Sequence, residues 1–350
     1  MPSGDSVGKM EVKWSTPDFG EDERETVLRV LDSGWVTMGK ETEQLEHELA
    51  PVTGYKHNIV VNSGTSALTA ALLALKAYNE GYTVRIPSYT FKATENAVYA
   101  SGVRDVKYGD VDHKTGLMKY EGKEKQYEIQ LPVHFAGIPL DQQVWGEVPY
   151  VVEDAAESLG ARTRNTGDMH SSRLVCYSMH AAKLITMIEG GCVSTNSDEY
   201  AYRLRAIRRH GESPDEKGVF IERGFNFKPL DICSAVGRVQ LKKLKQYLDN
   251  RLGIAKIYRD ELCGIVGFQD IPEYVSRHAN MMFPIYTSEP RRLAEKLREQ
   301  GIETRLGWKP LKLTPGAIAM SSKTLCIPIY NTMGIDEAVY VVDKIKEAMR

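Results

Sequence analysis

Several common fates are closed to this sequence by what it has little of. Its five cysteines, Cys176, Cys192, Cys233, Cys263 and Cys326, are odd in number, scattered, and never form C-x-x-C. That argues against a disulfide framework or a zinc knuckle. The eight histidines are dispersed, with no H-E-x-x-H, so no metal site is expected. Neither sign of charge prevails: 45 Lys and Arg against 47 Asp and Glu give a net charge of −2. No global basic field would draw nucleic acid or an anionic membrane, and the positive groups for an anionic ligand must be local. No stretch reaches the roughly 18 apolar residues that cross a bilayer. The opening MPSGDSVGKMEVKW lacks the apolar run of a signal peptide. A cytoplasmic protein with no nucleic-acid or membrane partner is expected. Internal repeats, low-complexity segments and a G-x-G-x-x-G after a strand are also missing, which disfavours a plain dinucleotide-binding protein.

What is present suits a two-domain globular chain. There are 350 residues with a hydrophobic fraction of 42%, enough for one large and one smaller domain. Strands are predicted at 58–62, 82–86, 129–133, 150–153 and 174–178, alternating with helices at 66–78 and 94–101. That alternation implies an α/β fold with a mostly parallel sheet flanked by helices. An amphipathic helix is expected over 230–248 and a polar one over 251–262. A strand (281–287) and helices (290–300, 336–349) follow. This gives a large domain over 1–250, including an N-terminal arm, and a smaller C-terminal α/β domain over 251–350.

Three segments could carry chemistry. In VVNSGTSAL, a strand enters a turn at Gly64 and a helix starts at once. Exposed helix N–H groups with the hydroxyls of Thr65 and Ser66 form an anion site; an ordinary cap by Ser63 or Thr65 is the alternative. In VVEDAAE, Asp154 ends an apolar strand, at the edge where open parallel sheets bind ligands. It could meet a cation there or cap the next helix. In SMHAAKLI, Lys183 stands among Ala181, Ala182, Leu184 and Ile185. Apolar surroundings favour a nucleophilic amine, whereas most lysines snorkel to water. Phe91 could stack on a ring or belong to the core. His134 ends a strand at the same edge, where it could meet substrate or be a satisfied structural histidine. Arg203, Arg205, Arg208 and Arg209 form a basic helix face, solvated or turned to a diphosphate.

The order SGTSAL, PSYTF, EDAAESLGA, YSMHAAKLITMIEGG, RRHG and GFNFKPLDICSAVGRVQL resembles the DegT/StrS family of PLP-dependent nucleotide-sugar aminotransferases, of the fold type I (aspartate aminotransferase) superfamily. The resemblance spans about 31–252, with echoes in SGWVTMGK and GIETR. It implies pyridoxal 5′-phosphate as cofactor, cycling through pyridoxamine 5′-phosphate, with Lys183 as the Schiff-base lysine. Asp154 then matches the partner of the pyridine nitrogen; Gly64, Thr65 and Ser178 match the phosphate cradle. Phe91 matches the ring-stacking aromatic, and Glu157 falls near the phenolic oxygen. Asn226 matches an asparagine that reaches the phosphate from the other subunit, implying a homodimer with shared active sites. Trp35, His134, Lys228 and Trp308 are the candidate substrate contacts.

The EDAAE form is similar to the perosamine-synthase branch, which implies amino transfer from glutamate to carbon 4 of a nucleotide-linked 4-keto-6-deoxy sugar. Amination at carbon 3, a cyclitol ketone, and a non-catalytic PLP-binding regulator are the alternatives. The lysine separates the chain from related dehydratases, which carry histidine at that position. There are departures. Met187-Ile188 replaces the usual T-G before E-G-G, so a differently shaped loop is expected. Lys228 replaces the usual arginine, exchanging a bidentate contact for a point charge. The segments 112–128 and 308–327 are shorter than usual, where sugar or nucleotide contacts would fall.

Overall fold

A computed structural model describes residues 9–79, 81–122, 128–146, 148–164 and 173–350. Residues 1–8 of the expected arm and 123–127 of the shortened segment 112–128 lie outside them. Seven strands form the central sheet: β1 (His57–Val61), β2 (Thr83–Pro87), β3 (Asp105–Gly109), β4 (Glu128–Gln130), β5 (Val151–Asp154), β6 (Arg173–Ser178) and β7 (Gly191–Thr195). Their order is β1-β7-β6-β5-β4-β2-β3. All run parallel except β7, which is antiparallel to both neighbours. The central strands are buried on both faces and carry apolar runs rather than strict alternation, with Glu153, Asp154 and Arg173 as buried charged exceptions.

The helix Gly64–Ala74 is buried on nearly every side, from Ala67 to Ala74. Its run of Leu, Ala and Thr has no polar face because it is packed between the sheet and other helices. The carboxyl ends of β1, β2, β5 and β6 lead into Ser63, Ser88, Ala155 and Met179, so the loops that follow gather at one sheet edge.

The break expected near residue 250 falls inside one continuous helix, Asp231–Glu261. An amphipathic run ending at Leu248 and a polar run from Arg251 suggested two helices. The helix persists because Arg251, Ile254, Ala255 and Tyr258 on one face are buried. Its N-terminal half packs with the large-sheet core through Leu241, Leu244 and Leu248. Its C-terminal half joins a second core with Phe283, Ile285, Leu293 and Val341. That core covers a four-stranded antiparallel sheet ordered Arg305–Leu306, Thr324–Ile327, Phe283–Tyr286, Gly267–Phe268. Val12, from the N-terminal segment, bridges to Ile302 and belongs to this C-terminal core. The chain thus touches the smaller unit at Val12 before building the larger one.

Arg251 ties the helix to the smaller unit. It is fully buried; its Nε donates to Asn331 Oδ1 at 2.8 Å, and its Nη1 to the carbonyls of Asn280, Met281 and Ile329 at 3.0, 3.1 and 3.0 Å. Burial without a carboxylate partner pulls its pKa down to about 9. Arg251→Met keeps much of the volume but strands these acceptors, each costing about 1–3 kcal/mol if left unpaired. The expected loss is about 4 kcal/mol, read as a lowered urea midpoint by circular dichroism. A loss below about 1 kcal/mol would show that water replaces the guanidinium without penalty.

Candidate active site

The loops at the sheet edge enclose a cavity of about 550 Å³. Ser63 caps the helix Gly64–Ala74, its Oγ accepting from Ser66 N at 3.0 Å. Ser63, not Thr65, is therefore the cap. The cap and the helix's own bonds leave the N–H groups of Gly64 and Thr65 without a protein partner among the described residues. Both residues line the cavity with Ser178. Gly64 is required: a Cβ there would sit 2.8 Å from the Ser178 Cβ. Gly191, paired with Ser178 at the start of β7, is equally confined, since its Cβ would meet the Ser63 carbonyl oxygen at 2.4 Å.

The floor is a cluster of charges. Asp154 ends β5, buried, accepting from Thr94 Oγ1 at 2.8 Å and Ala156 N at 3.2 Å. Glu157 accepts from Ala136 N at 2.8 Å, and its Oε1 lies 3.7 Å from Lys183 Nζ. Desolvation raises the pKa of both carboxyls, against the opposing pull of Thr94 and Lys183 at Asp154 and of Lys183 and Ala136 at Glu157. Glu153, one residue earlier, points to the other face of the sheet. Burial would raise it too, but His134 and Arg173, at 2.9 and 2.7 Å, outweigh burial and hold it low. Adjacent carboxylates on one strand thus have opposite fates.

His134 belongs to that satisfied network. Its Nδ1 is 2.6 Å from Ser158 Oγ and its Nε2 engages Glu153. Val133 and Phe135 line the cavity and His134, between them, faces away. The substrate role considered for His134 is corrected to a structural one. Phe91 and Trp308 both lie in the cavity wall, their ring centres 6.1 Å apart. Trp308 also packs on Tyr89 and Phe135, and its backbone N–H donates to the Tyr89 hydroxyl at 3.1 Å. Trp35, Asn226 and Lys228 are not brought to this cavity. Trp35 is 62% exposed and folds over Gly39, where a Cβ would sit 2.4 Å from its Nε1. Asn226 is exposed, with its carbonyl held by Asn62 Nδ2 at 3.2 Å, and Lys228 Nζ meets His210 Nε2 at 3.2 Å.

Thr94, Tyr89 and the Ala136 N–H were not singled out from the sequence. Thr94 lies three residues after Phe91, in the first turn of a helix beginning beside the cavity, which is the signal that could have found it. Ala136 has φ +57°, a left-handed conformation that turns its N–H to Glu157 and that nothing in the composition announces.

The loop at Met187-Ile188 adopts an unusual backbone conformation. Ile188 has φ +66°, the region that suits glycine and penalises a β-branched side chain. The turn is glycine-like although the residue is not, steadied by Ile188 N donating to Thr186 Oγ1 at 2.7 Å.

These residues fit pyridoxal 5′-phosphate on three points. A helix N-terminus with unpartnered N–H groups and flanking hydroxyls suits a phosphate dianion. A buried carboxylate with no guanidinium suits a protonated ring nitrogen. A lysine reaches the same cavity.

Two outcomes follow from this geometry. A carboxyl whose pKa is raised by folding contributes stability below its unfolded pKa and loses it as pH rises through the folded one. Asp154→Asn should therefore make the cofactor-free protein melt higher at pH 8 and change little at pH 4. An equal change at both pH values would put another group in control. Ile188→Gly should raise stability by about 1 kcal/mol, since left-handed strain costs about 1–2 kcal/mol and the added chain entropy returns part of it. A fall in the urea midpoint would mean the Ile188 side chain is held by contacts worth more than the strain.

Residues 17–346 match the DegT/DnrJ/EryC1/StrS aminotransferase family. The uncharacterized protein MJ1066 of Methanocaldococcus jannaschii is 30% identical over 95% of this chain and 96% of its own. The solved structure of DesV from S. venezuelae shares 27% identity with a TM-score of 0.88, covering 94% of this chain and 95% of its own. The sugar aminotransferase CalS13 from Micromonospora echinospora shares 25% with a TM-score of 0.86, covering 95% and 99%. With the fold, a lysine–carboxylate floor and a helix N-terminus open to the cavity, these matches mean that the chain belongs to the DegT/DnrJ/EryC1/StrS aminotransferase family, PLP-dependent enzymes that move amino groups onto sugars.

Proposed function

We propose that this enzyme takes an amino group from an amino acid, glutamate by family analogy, and delivers it to carbon 4 of a nucleotide-linked 4-keto-6-deoxy sugar. The observation that carries the reading is the floor of the cavity, where Lys183 Nζ lies 3.7 Å from Glu157 beside the buried Asp154. When bound, pyridoxal phosphate supplies an electrophilic carbon and a ring that accepts the electrons freed when a substrate C–H is broken.

The chain's own residues supply the rest. Gly64, Thr65 and Ser178 hold the phosphate, anchoring the ring at the end of the helix Gly64–Ala74. Asp154 Oδ2, oriented by Thr94, keeps the proton on the ring nitrogen and so maintains the electron sink. Lys183 Nζ would act as the general base that takes the proton from the donor's amino-bearing carbon and as the acid that holds it for return. Glu157, fixed by Ala136 N, sits beside that amine. Phe91 and Trp308 cover the cavity and keep water from the reacting carbon.

A homodimer is part of the proposal. Asn226 and Lys228 lie outside their own cavity, on a segment tied to Asn62 just ahead of the cradle by Asn62 N donating to Phe227 O at 3.0 Å. Exposed Val219, Phe220, Ile221, Phe225 and Leu230 surround them in sequence, an apolar set that a second copy would cover. Asn226 then reaches the phosphate in the partner's cavity, Lys228 contributes a point charge there, and Trp35 meets substrate across the same interface.

Lys183→Ala should abolish turnover, and Asp154→Asn should cut it by orders of magnitude with the fold intact by circular dichroism. Mixing refolded Lys183→Ala and Asn226→Ala chains should restore up to about a quarter of wild-type activity, because random pairing makes half the dimers mixed and each mixed dimer has one complete site. No restoration would place both residues in one chain's site. Offered 3-keto and 4-keto nucleotide sugars with glutamate, the enzyme should aminate the 4-keto compound; turnover of only the 3-keto compound would overturn the regiochemistry.

A further inference from the structure

Six acidic or basic side chains line the cavity: Asp154, Glu157, Glu189, Lys183, His180 and Arg305. Three are carboxylates. Lys183 is committed to Glu157 at 3.7 Å and to the reaction, and His180 Nε2 faces Glu189 at 3.6 Å across the rim. Arg305 is the one permanent cation left over. Among the described residues no carboxylate oxygen lies within 4.0 Å of its guanidinium. Arg29, Arg85, Arg173, Arg203, Arg208 and Arg238, by contrast, are all paired with glutamates.

Its position is built, not incidental. Arg305 lies on the edge strand Arg305–Leu306, two and three residues before Gly307 and Trp308 of the cavity wall. Its Cζ stands 5.4 Å from the centre of the Trp14 ring, another wall residue. Glu303, the acid that could have neutralised it, instead accepts from Trp14 N at 3.2 Å. The N-terminal segment is clamped there by Val12 N donating to Gly301 O and Glu303 N donating to Val12 O, both at 2.9 Å. The Trp14 ring thus supports the guanidinium from below, while Glu303 is engaged by the Trp14 backbone. A substrate anion entering a cavity walled by three carboxylates needs such a group.

We infer that Arg305, held on Trp14, is a specificity residue that binds an anionic oxygen group of a substrate. The inference rests on the aminotransferase reading above. The shared chemistry is a carboxylate or phosphate, and two substrates could bring it: the amino-acid donor or the diphosphate of the sugar nucleotide.

The test uses the holoenzyme, so that the cofactor's phosphate already fills the cradle. Wild type, Arg305→Gln and Arg305→Lys are titrated calorimetrically with glutarate, which cannot donate an amino group, and separately with UDP. Arg305→Gln should weaken one of the two probes by about 10- to 100-fold, the range for a lost charge-assisted hydrogen bond. Arg305→Lys should recover part of the loss. Weakened glutarate assigns the anion to the donor, and weakened UDP assigns it to the sugar nucleotide. The matching KM should rise by a similar factor with kcat within about threefold of wild type. Equal affinities for both probes in wild type and Arg305→Gln, or binding of neither probe to wild type, would overturn the inference. A failure of the aminotransferase reading shows separately, as a wild-type holoenzyme that binds glutarate or UDP yet moves no amino group from any donor.

Discussion

Two carboxylates removed from water beside a single ammonium set the terms for the rest of this structure. Asp154 and Glu157 are both buried, and desolvation pushes both upward. A fold can keep such groups only if it supplies donors and if something bound repays the remaining cost. The donors present are few and deliberate: the Thr94 hydroxyl, the Ala156 N–H, and the Ala136 N–H presented from a left-handed residue. The contrast with Glu153 is the clearest sign of purpose. On the same strand, one residue away, the protein spends a buried arginine and a histidine to satisfy a carboxylate completely. At Asp154 it withholds a guanidinium, and the ring nitrogen of the cofactor fits that role.

The cavity around that floor is assembled from both structural units. Asp154 and Ser178 come from the central sheet and Gly64 from the helix after β1, while Trp308 and Arg305 come from the smaller sheet. The two are joined under Lys183. Asn331 donates to the Leu184 carbonyl at 2.9 Å and accepts from Arg251 on the long helix. The backbone beside the lysine is therefore held by the same buried network that anchors the smaller unit. Tyr89 makes a second connection, its hydroxyl accepting from Trp308 N and its bulk leaving no room for a side chain at Gly307.

Much of this was legible in the residues. The buried strands read as apolar runs, and the turn at Gly64 announced a helix N-terminus. Lys183 stood out as a lysine in apolar company. What escaped has physical reasons. β3 is a sheet-edge strand whose sequence DVKYG is half polar, and β7 follows a glycine pair that looks like a loop. The helix Asp231–Glu261 reads as two, 230–248 and 251–262, because local propensity cannot see that Arg251 is buried among tertiary carbonyls. His134 was ambiguous because a histidine at a functional edge and one buried behind it have the same sequence signature. Only the alternation of Val133, His134 and Phe135 in three dimensions separates them. The glycine-like turn at Ile188 and the left-handed Ala136 are set by their surroundings and left no mark in residue type.

The most direct test of the account is chemical. The purified protein would be incubated with pyridoxal phosphate, reduced with borohydride, digested and mapped. The account predicts a reduced pyridoxyl group on Lys183 and a colour lost on reduction. A label on another lysine, or a protein that stays colourless with Lys183 unmodified, would contradict the claim that this cavity is built around that amine.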